Sequence, residues 1–356
     1  MAKVKIVVND IAASEGGALS VLEDLYNKIV EYNDENEWIF LISDDYLEPR
    51  DNIKIIKLPQ IKKSWIKRIN FDFFHGKNLI NDLAPDVYVS LQNTATLGVK
   101  MKQIVYFHQV IPFQVDYKFN LFKKNEIKLW IYQNIGRYVY LKLFEHSNAD
   151  IVVQSKWLAK LMKQNLNNDF YVSQPSLTSE LSKFKFDSMK NKKKCSFFFP
   201  TSDFVYKNYK VIIEAVKILN ENHIGGFEVI LTLSPEEHDE IANINYIGKI
   251  TRTDVYKLMT ESVLVFPSII ESYGLPLIEG MMIGCPIIAA DLKYAHETSD
   301  GYKNIVFFDS NSPYNLAKKM ENMIKNNDYV YSKYNRKESD KSELLNIILG
   351  VKNEYN

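Results

Sequence analysis

Short apolar runs recur along the whole chain, separated by segments in which apolar residues return every three or four positions. In the first half the runs are Lys3–Val8, Trp38–Ile42, Ile53–Leu58, Val87–Leu91, Gln103–Phe107 and Ile151–Gln154. In the second half they are 195–202 (CSFFFPTS), Phe227–Leu233, Asn245–Gly248, Val263–Phe266, Cys285–Ala290 and Ile305–Phe308. Runs of this kind fit strands buried on both faces. The intervening segments have the helical period: Leu19, Leu22, Leu25 and Ile29 share one face, as do Val211, Ile212, Ala215, Val216 and Leu219. Strands alternating with helices predict an α/β chain of parallel, doubly wound sheets, whose ligands sit beyond the carboxyl ends of the strands. Phe170–Leu177 and the lysine-rich SKFKFDSMKNKKK read as a linker between a domain over 1–175 and one over 176–329. Pro313–Ile324 and the charged tail from Asp328 read as closing helices.

The most informative stretch is FPSIIESYGLPLIEGMMIGCPII, from Phe266 to Ile288. Pro267 ends a strand, Glu271 and Gly274 fall in a loop, and Pro276 suits the first position of a helix that Gly284 terminates. One carboxylate, Glu271, therefore precedes the helix Pro276–Ile283, and a second, Glu279, lies on its first turn. The free N–H groups and positive dipole end of that helix between them suit a phosphate. The same acids also fit a solvated loop and a helix N-terminus favoured by charge. Gly16 and Gly17 open the helix after the first strand, where backbone can approach an anion closely. His108 follows the strand Gln103–Phe107, at the edge where ligands bind, and Asn93 ends the strand before it. Lys207 stands at a helix start, against the dipole, so an anion such as a diphosphate would favour it there.

The string from Glu271 to Glu279, with SYGLP inside it and GMMIGCPII after it, closely resembles the E-x7-E signature of retaining GT4-family glycosyltransferases. The resemblance implies a GT-B fold of two Rossmann-like domains facing a central cleft, the last helix (about 330–356) crossing back to the first domain. It implies that Lys207 neutralises the phosphates of a nucleotide-sugar donor, that Glu279 holds the ribose, and that Glu271 and His108 contact the transferred sugar. The Gly274–Leu275 backbone, the Gly16–Gly17 loop, and Lys249 and Ile250 at the nucleobase complete the implied donor site, and Asn93 is a candidate for the acceptor. The donor is expected to be a UDP-sugar, the reaction retaining and metal-independent, with no cofactor. The family pattern has an arginine just after the strand that begins at Cys195; here Thr201 stands there, and Arg252 is a candidate replacement cation. The acceptor expected by family is a saccharide or lipid-linked oligosaccharide of a bacterial surface polysaccharide. Two other readings stay open: a non-catalytic nucleotide-sugar-binding partner of an active transferase, and a sugar-nucleotide epimerase on the same fold.

Composition narrows the partners. The 44 basic residues balance the 44 acidic ones, so no bulk field attracts nucleic acid. Cys195 and Cys285 lie in apolar runs and read as buried thiols. No D-x-D, H-E-x-x-H or Cys/His cluster occurs, so no metal site is predicted. No uninterrupted apolar stretch approaches a membrane span, and a cytoplasmic location is expected. Residues 62–80 and 117–144 mix Lys and Arg with Trp, Phe and Tyr. That composition fits either contact with an anionic membrane, on the inner face of the plasma membrane, or ordinary surface helices with an aromatic core face.

Overall fold

The computed structural model describes residues 3–13, 16–33, 35–177, 179–187, 194–326, 331–332, 334 and 344–350. The apolar runs form twelve of the thirteen strands among these residues, and every pairing between the strands is parallel. In the first half they are β1 (Lys5–Asn9), β2 (Glu37–Ile42), β3 (Ile53–Lys57), β4 (Val87–Ser90), β5 (Lys102–Phe107), β6 (Asp150–Val153) and β7 (Phe170–Val172). In the second they are β8 (Cys195–Phe199), β9 (Phe227–Leu231), β10 (Ile244–Tyr246), β11 (Val263–Phe266), β12 (Ile287–Ala290) and β13 (Ile305–Phe308). The sheet orders are β3-β2-β1-β4-β5-β6-β7 and β10-β9-β8-β11-β12-β13. Both reverse direction beside their first strand, which makes each a Rossmann-like doubly wound sheet.

The runs are apolar throughout because both faces of the sheet are covered. Ile6, Val8, Trp38, Phe40 and Ile42 pack into one core with Leu22, Leu25 and Ile29 of the helix Gly16–Tyr32. Val7, Ile39 and Leu41, the alternate positions, pack on the other side with Phe71 and Ile80. The short helix Leu344–Ile348 buries Leu344, Leu345 and Ile348 in the first of these cores.

By contacts the chain divides into two units. The first comprises the described residues among 1–122, 127–176 and 337–356, and the second those among 123–126 and 177–336. Of the tail from Asp328, residues 328–330, 333, 335–343 and 351–356 lie outside the described residues.

The linker reading needs correction at its start. Phe170–Val172 is an edge strand registered with Ile151–Val153. Three residues are too few for a strand period to show, and the polar, proline-containing sequence after them masked it. The helix after β11 begins at Leu275, not Pro276, and strand β12 begins at Ile287, because Gly284 and Pro286 hold Cys285 outside the ladder. Two long helical segments each contain a π-turn, Phe71–His75 and Tyr132–Gly136. Each turn carries one buried polar side chain, Asp72 and Gln133 respectively.

Candidate functional site

In the second sheet the strand order reverses between β8 and β11, which pair side by side through Phe197–Val263 and Phe198–Leu264. Ligands of such sheets bind beyond the carboxyl ends of the strands at this switch point. The loops that leave β8 and β11 there carry Lys207 and Glu271. Lys207 ends the 3₁₀ turn Val205–Lys207, and its Nζ lies 2.6 Å from Glu271 Oε1. Ser268 Oγ donates to the same carboxylate oxygen at 2.7 Å. The lysine at the helix start is therefore offset by an acid. The two loops are joined by main chain as well: Ile269 N donates to Tyr206 O at 2.8 Å.

Glu271 leads into the helix Leu275–Ile283 through Gly274, whose φ of 81° is open to glycine at little cost. Gly284, at φ 86°, ends the helix in the left-handed conformation, with its N–H on Gly280 O and Met281 O. At the other end Leu277 N and Ile278 N both reach Gly274 O, so the Leu275 N–H has no partner within the helix, and Pro276 has none to offer. Glu279 is buried on this helix, its side chain 7% exposed. Its Oε1 accepts from Arg252 Nη2 at 2.6 Å, Arg252 Nε at 3.2 Å and Tyr256 OH at 2.9 Å. Arg252 and Tyr256 share a face of the helix Arg252–Met259, one turn apart. Lys249 and Ile250 form the loop before that helix, after Gly248 at φ 69°.

In the first unit Gly16 and Gly17 are the first two residues of the helix that follows β1. Asn93, in the loop after β4, and His108, after β5, are in contact. His108 N donates to Asn93 Oδ1 at 2.7 Å, and Asn93 Nδ2 lies 3.1 Å from His108 Nε2. Burial pushes the His108 ring down to about 4. Thr201 has no charge to offer; its N–H and carbonyl are both bonded to Thr232 Oγ1 at 2.7 Å. No group of three or more His, Cys, Asp or Glu among the described residues is arranged to hold a metal ion.

Residues 182–339 match the family model of glycosyl transferases group 1. Over its whole length the chain is similar to a Methanocaldococcus jannaschii protein named an uncharacterized glycosyltransferase. The two are 24% identical over 355 residues, covering 96% of this chain and 94% of that one. Among solved structures it resembles sucrose-phosphate synthase of Thermosynechococcus elongatus, with a TM-score of 0.65 and 13% identity over 91% of this chain and 90% of that one. It also resembles Anabaena HepE in complex with UDP and glucose, with a TM-score of 0.61 and 14% identity over 90% of each chain. The fold is GT-B.

Several contacts that shape this candidate site escape a reading of the sequence. Arg252, a candidate replacement cation in the sequence, is bonded to Glu279 instead; that contact and the one from Tyr256 span 27 and 23 positions, with no local pattern to connect them. Tyr294 OH bonds Ser268 O at 2.5 Å and Thr298 Oγ1 bonds Tyr273 O at 2.6 Å, so the helix Lys293–Thr298 pins both ends of the Glu271 loop. Asn208, at φ 55°, bonds Pro267 O at 3.3 Å and Ser310 O at 2.9 Å, tying together the loops after β8, β11 and β13. An asparagine directly before a helix was the available signal, since Asn tolerates the left-handed region.

Proposed function

We propose that the chain is a retaining, metal-independent GT4-type hexosyltransferase. It moves a sugar from a UDP-sugar to a saccharide or lipid-linked oligosaccharide acceptor in the synthesis of a bacterial surface polysaccharide. The observation that carries this reading is the pairing of Lys207 with Glu271 at the switch point, beside a helix whose first N–H has no partner within the helix and which holds Glu279. Breaking a sugar–phosphate bond develops negative charge on the leaving diphosphate, and stabilising that charge is the main catalytic term. Lys207 and the start of the helix Leu275–Ile283 supply positive charge without proton transfer. Glu271, freed in part as Lys207 turns to the phosphates, accepts hydrogen bonds from the sugar and stabilises positive charge at its anomeric carbon. Arg252 and Tyr256 hold Oε1 of Glu279, which leaves Oε2 to accept from the ribose hydroxyls. Gly16 and Gly17 offer backbone to the diphosphate, the backbone at Lys249 and Ile250 cradles the base, and His108 and Asn93 contact sugar hydroxyls.

A thermal-shift panel of UDP-, GDP- and ADP-sugars tests the donor. Saturation at a hundred times the dissociation constant stabilises by about 2.7 kcal/mol. A UDP-sugar should raise the melting temperature, and Glu279→Ala should abolish the rise. Indifference to every nucleotide sugar would overturn the reading, and turnover of donor without acceptor would identify an epimerase instead.

We also propose that the first unit docks on an anionic membrane, where lipid-linked acceptors reside. Ile66 (62%), Phe74 (60%), Phe122 (94%) and Tyr138 (64%) are exposed among the exposed Lys63, Lys67 and Lys128. No helix among the described residues is long and apolar enough to cross a membrane. The protein should co-sediment with vesicles containing phosphatidylglycerol and not with purely zwitterionic ones, and Phe122→Asp with Lys67→Glu should abolish sedimentation. Equal recovery in the supernatant with both vesicle types would remove the membrane from the proposal.

A further inference from the structure

Asp72 is buried in the π-turn Phe71–His75, and its bonds, none of them to a candidate site residue, converge on one loop. Its Oδ2 accepts from Thr94 Oγ1 at 2.7 Å, and its Oδ1 accepts from Gln92 Nε2 and Thr96 Oγ1, each at 3.3 Å. Its main-chain carbonyl accepts from Leu97 N at 2.8 Å. Gln92 and Thr94 are the two neighbours of Asn93, which is itself held at φ 67°, a left-handed conformation. The π-turn accounts for the placement: one extra residue per turn rotates a side chain away from the helical register, here inward onto the loop.

The orientation of Asn93 decides the state of His108. Asn93 Oδ1 is committed to the His108 amide, so Asn93 presents its Nδ2, which can only donate, to His108 Nε2. That ring nitrogen must then accept, and in a neutral imidazole the proton belongs to Nδ1. Nδ1 is buried and has no hydrogen-bond partner among the described residues. Burial pushes the ring's titration down to about 4, so the neutral form prevails near pH 7.

We propose that Asp72 is a positioning residue, which by gripping both neighbours of Asn93 fixes His108 in its Nδ1–H tautomer and so keeps a buried donor ready for a hydroxyl of bound sugar. The last step rests on the reading of His108 as a sugar contact; the tautomer does not. A merely structural Asp72 would support the fold and leave the ring proton to either nitrogen.

Long-range proton–nitrogen correlation spectra of the full-length protein labelled with ¹⁵N-histidine test this, with His108→Gln assigning the signal. Wild type should show the Nδ1-protonated pattern. Asn93→Asp, whose carboxylate only accepts, should move the proton to Nε2. Asp72→Ala should draw the two nitrogen shifts of His108 together as the tautomers mix, and Thr94→Val should do so more weakly if the alanine variant fails to fold. An Nε2-protonated wild type, or His108 shifts unmoved in both Asp72→Ala and Thr94→Val, would overturn the positioning role. In transfer assays Asp72→Ala should lower kcat about tenfold, less than the roughly 10²-fold that a 1 Å misplacement can cost. In a His108→Ala background the same change should lower it no further. If His108→Ala itself transfers like wild type while the spectra behave as expected, the sugar contact fails and the tautomer control stands.

Discussion

Lys207→Ala should lower kcat for sugar transfer by about 10²–10³-fold, the usual loss when one preorganised charge-stabilising group is removed. The physical case rests on where the lysine is kept. In the free protein its Nζ is 2.6 Å from Glu271 Oε1, and the two side chains are only 21% and 14% exposed. A charge so placed is poorly screened, and once it has turned from Glu271 to a bound diphosphate it needs no further reorganisation as the leaving group takes up charge. The lysine matters more in the transition state than with bound donor, so kcat should fall more than KM rises. Glu271→Ala should lose a similar factor, because it removes the acceptor for sugar hydroxyls and the group that holds Lys207 in place. Each single change also leaves a half-buried charge without its partner, so melting curves must accompany the kinetics. A purely structural ion pair gives a different pattern: the double variant would regain stability and transfer together. Wild-type-like transfer by either single variant would remove this pair from the mechanism.

The contrast between what the sequence showed and what it hid follows from distance along the chain. The unit from Val263 to Ala290 was legible because each part is local: a buried run, a proline at its end, a glycine that must take positive φ, and an acid on the next helix. The parallel sheets were legible for the same reason, since strands covered on both faces lose most of their polar positions. What stayed hidden was the support of each site side chain. Arg252 and Tyr256 reach Glu279 across a helix–helix contact, and Asp72 reaches the Asn93 loop only because a π-turn breaks the helical period. A helical wheel drawn through Asp72 puts it on no meaningful face. The basic, aromatic segments hid a further distinction, because Tyr140 and Phe144 face the core while Tyr138 and Ile135 in the same stretch face out. Composition cannot divide such a helix.

Asp10 was equally invisible, an acid in a loop that the structure places out of reach of water. It follows β1 at the switch point of the first sheet and is 1% exposed. Neither carboxylate oxygen has a hydrogen-bond partner among the described residues. Burial raises the group from 3.8 to about 8, only partly offset by the nearby Ala13 amide and the charge of Lys62. The sign of the consequence is fixed by linkage. Between about pH 4 and 8 the folded protein binds a proton at Asp10 that the unfolded chain has released, so stability falls as pH rises through that window and is level on either side. The slope is about 1.4 kcal/mol per pH unit, and the whole window is worth roughly 6 kcal/mol, comparable to the total stability of many domains. Asp72, raised to about 7 by burial, adds to the same trend, while His108, lowered to about 4, opposes it below its ordinary 6.5. The comparison of Asp10→Asn with wild type cancels both. The near-isosteric amide cannot ionise, so its advantage in unfolding free energy should grow by about 1.4 kcal/mol for each unit from pH 5 to 7 and level off above 8. Urea titrations followed by tryptophan fluorescence would measure it cleanly, because Trp38, Trp65, Trp130 and Trp157 are the chain's four tryptophans and all belong to the first unit. The signal therefore reports the unit that contains Asp10, without a two-state assumption for the whole chain. An advantage that does not change with pH would mean that Asp10 meets solvent or a cation in solution, and its burial in an unpaired state would have to be abandoned.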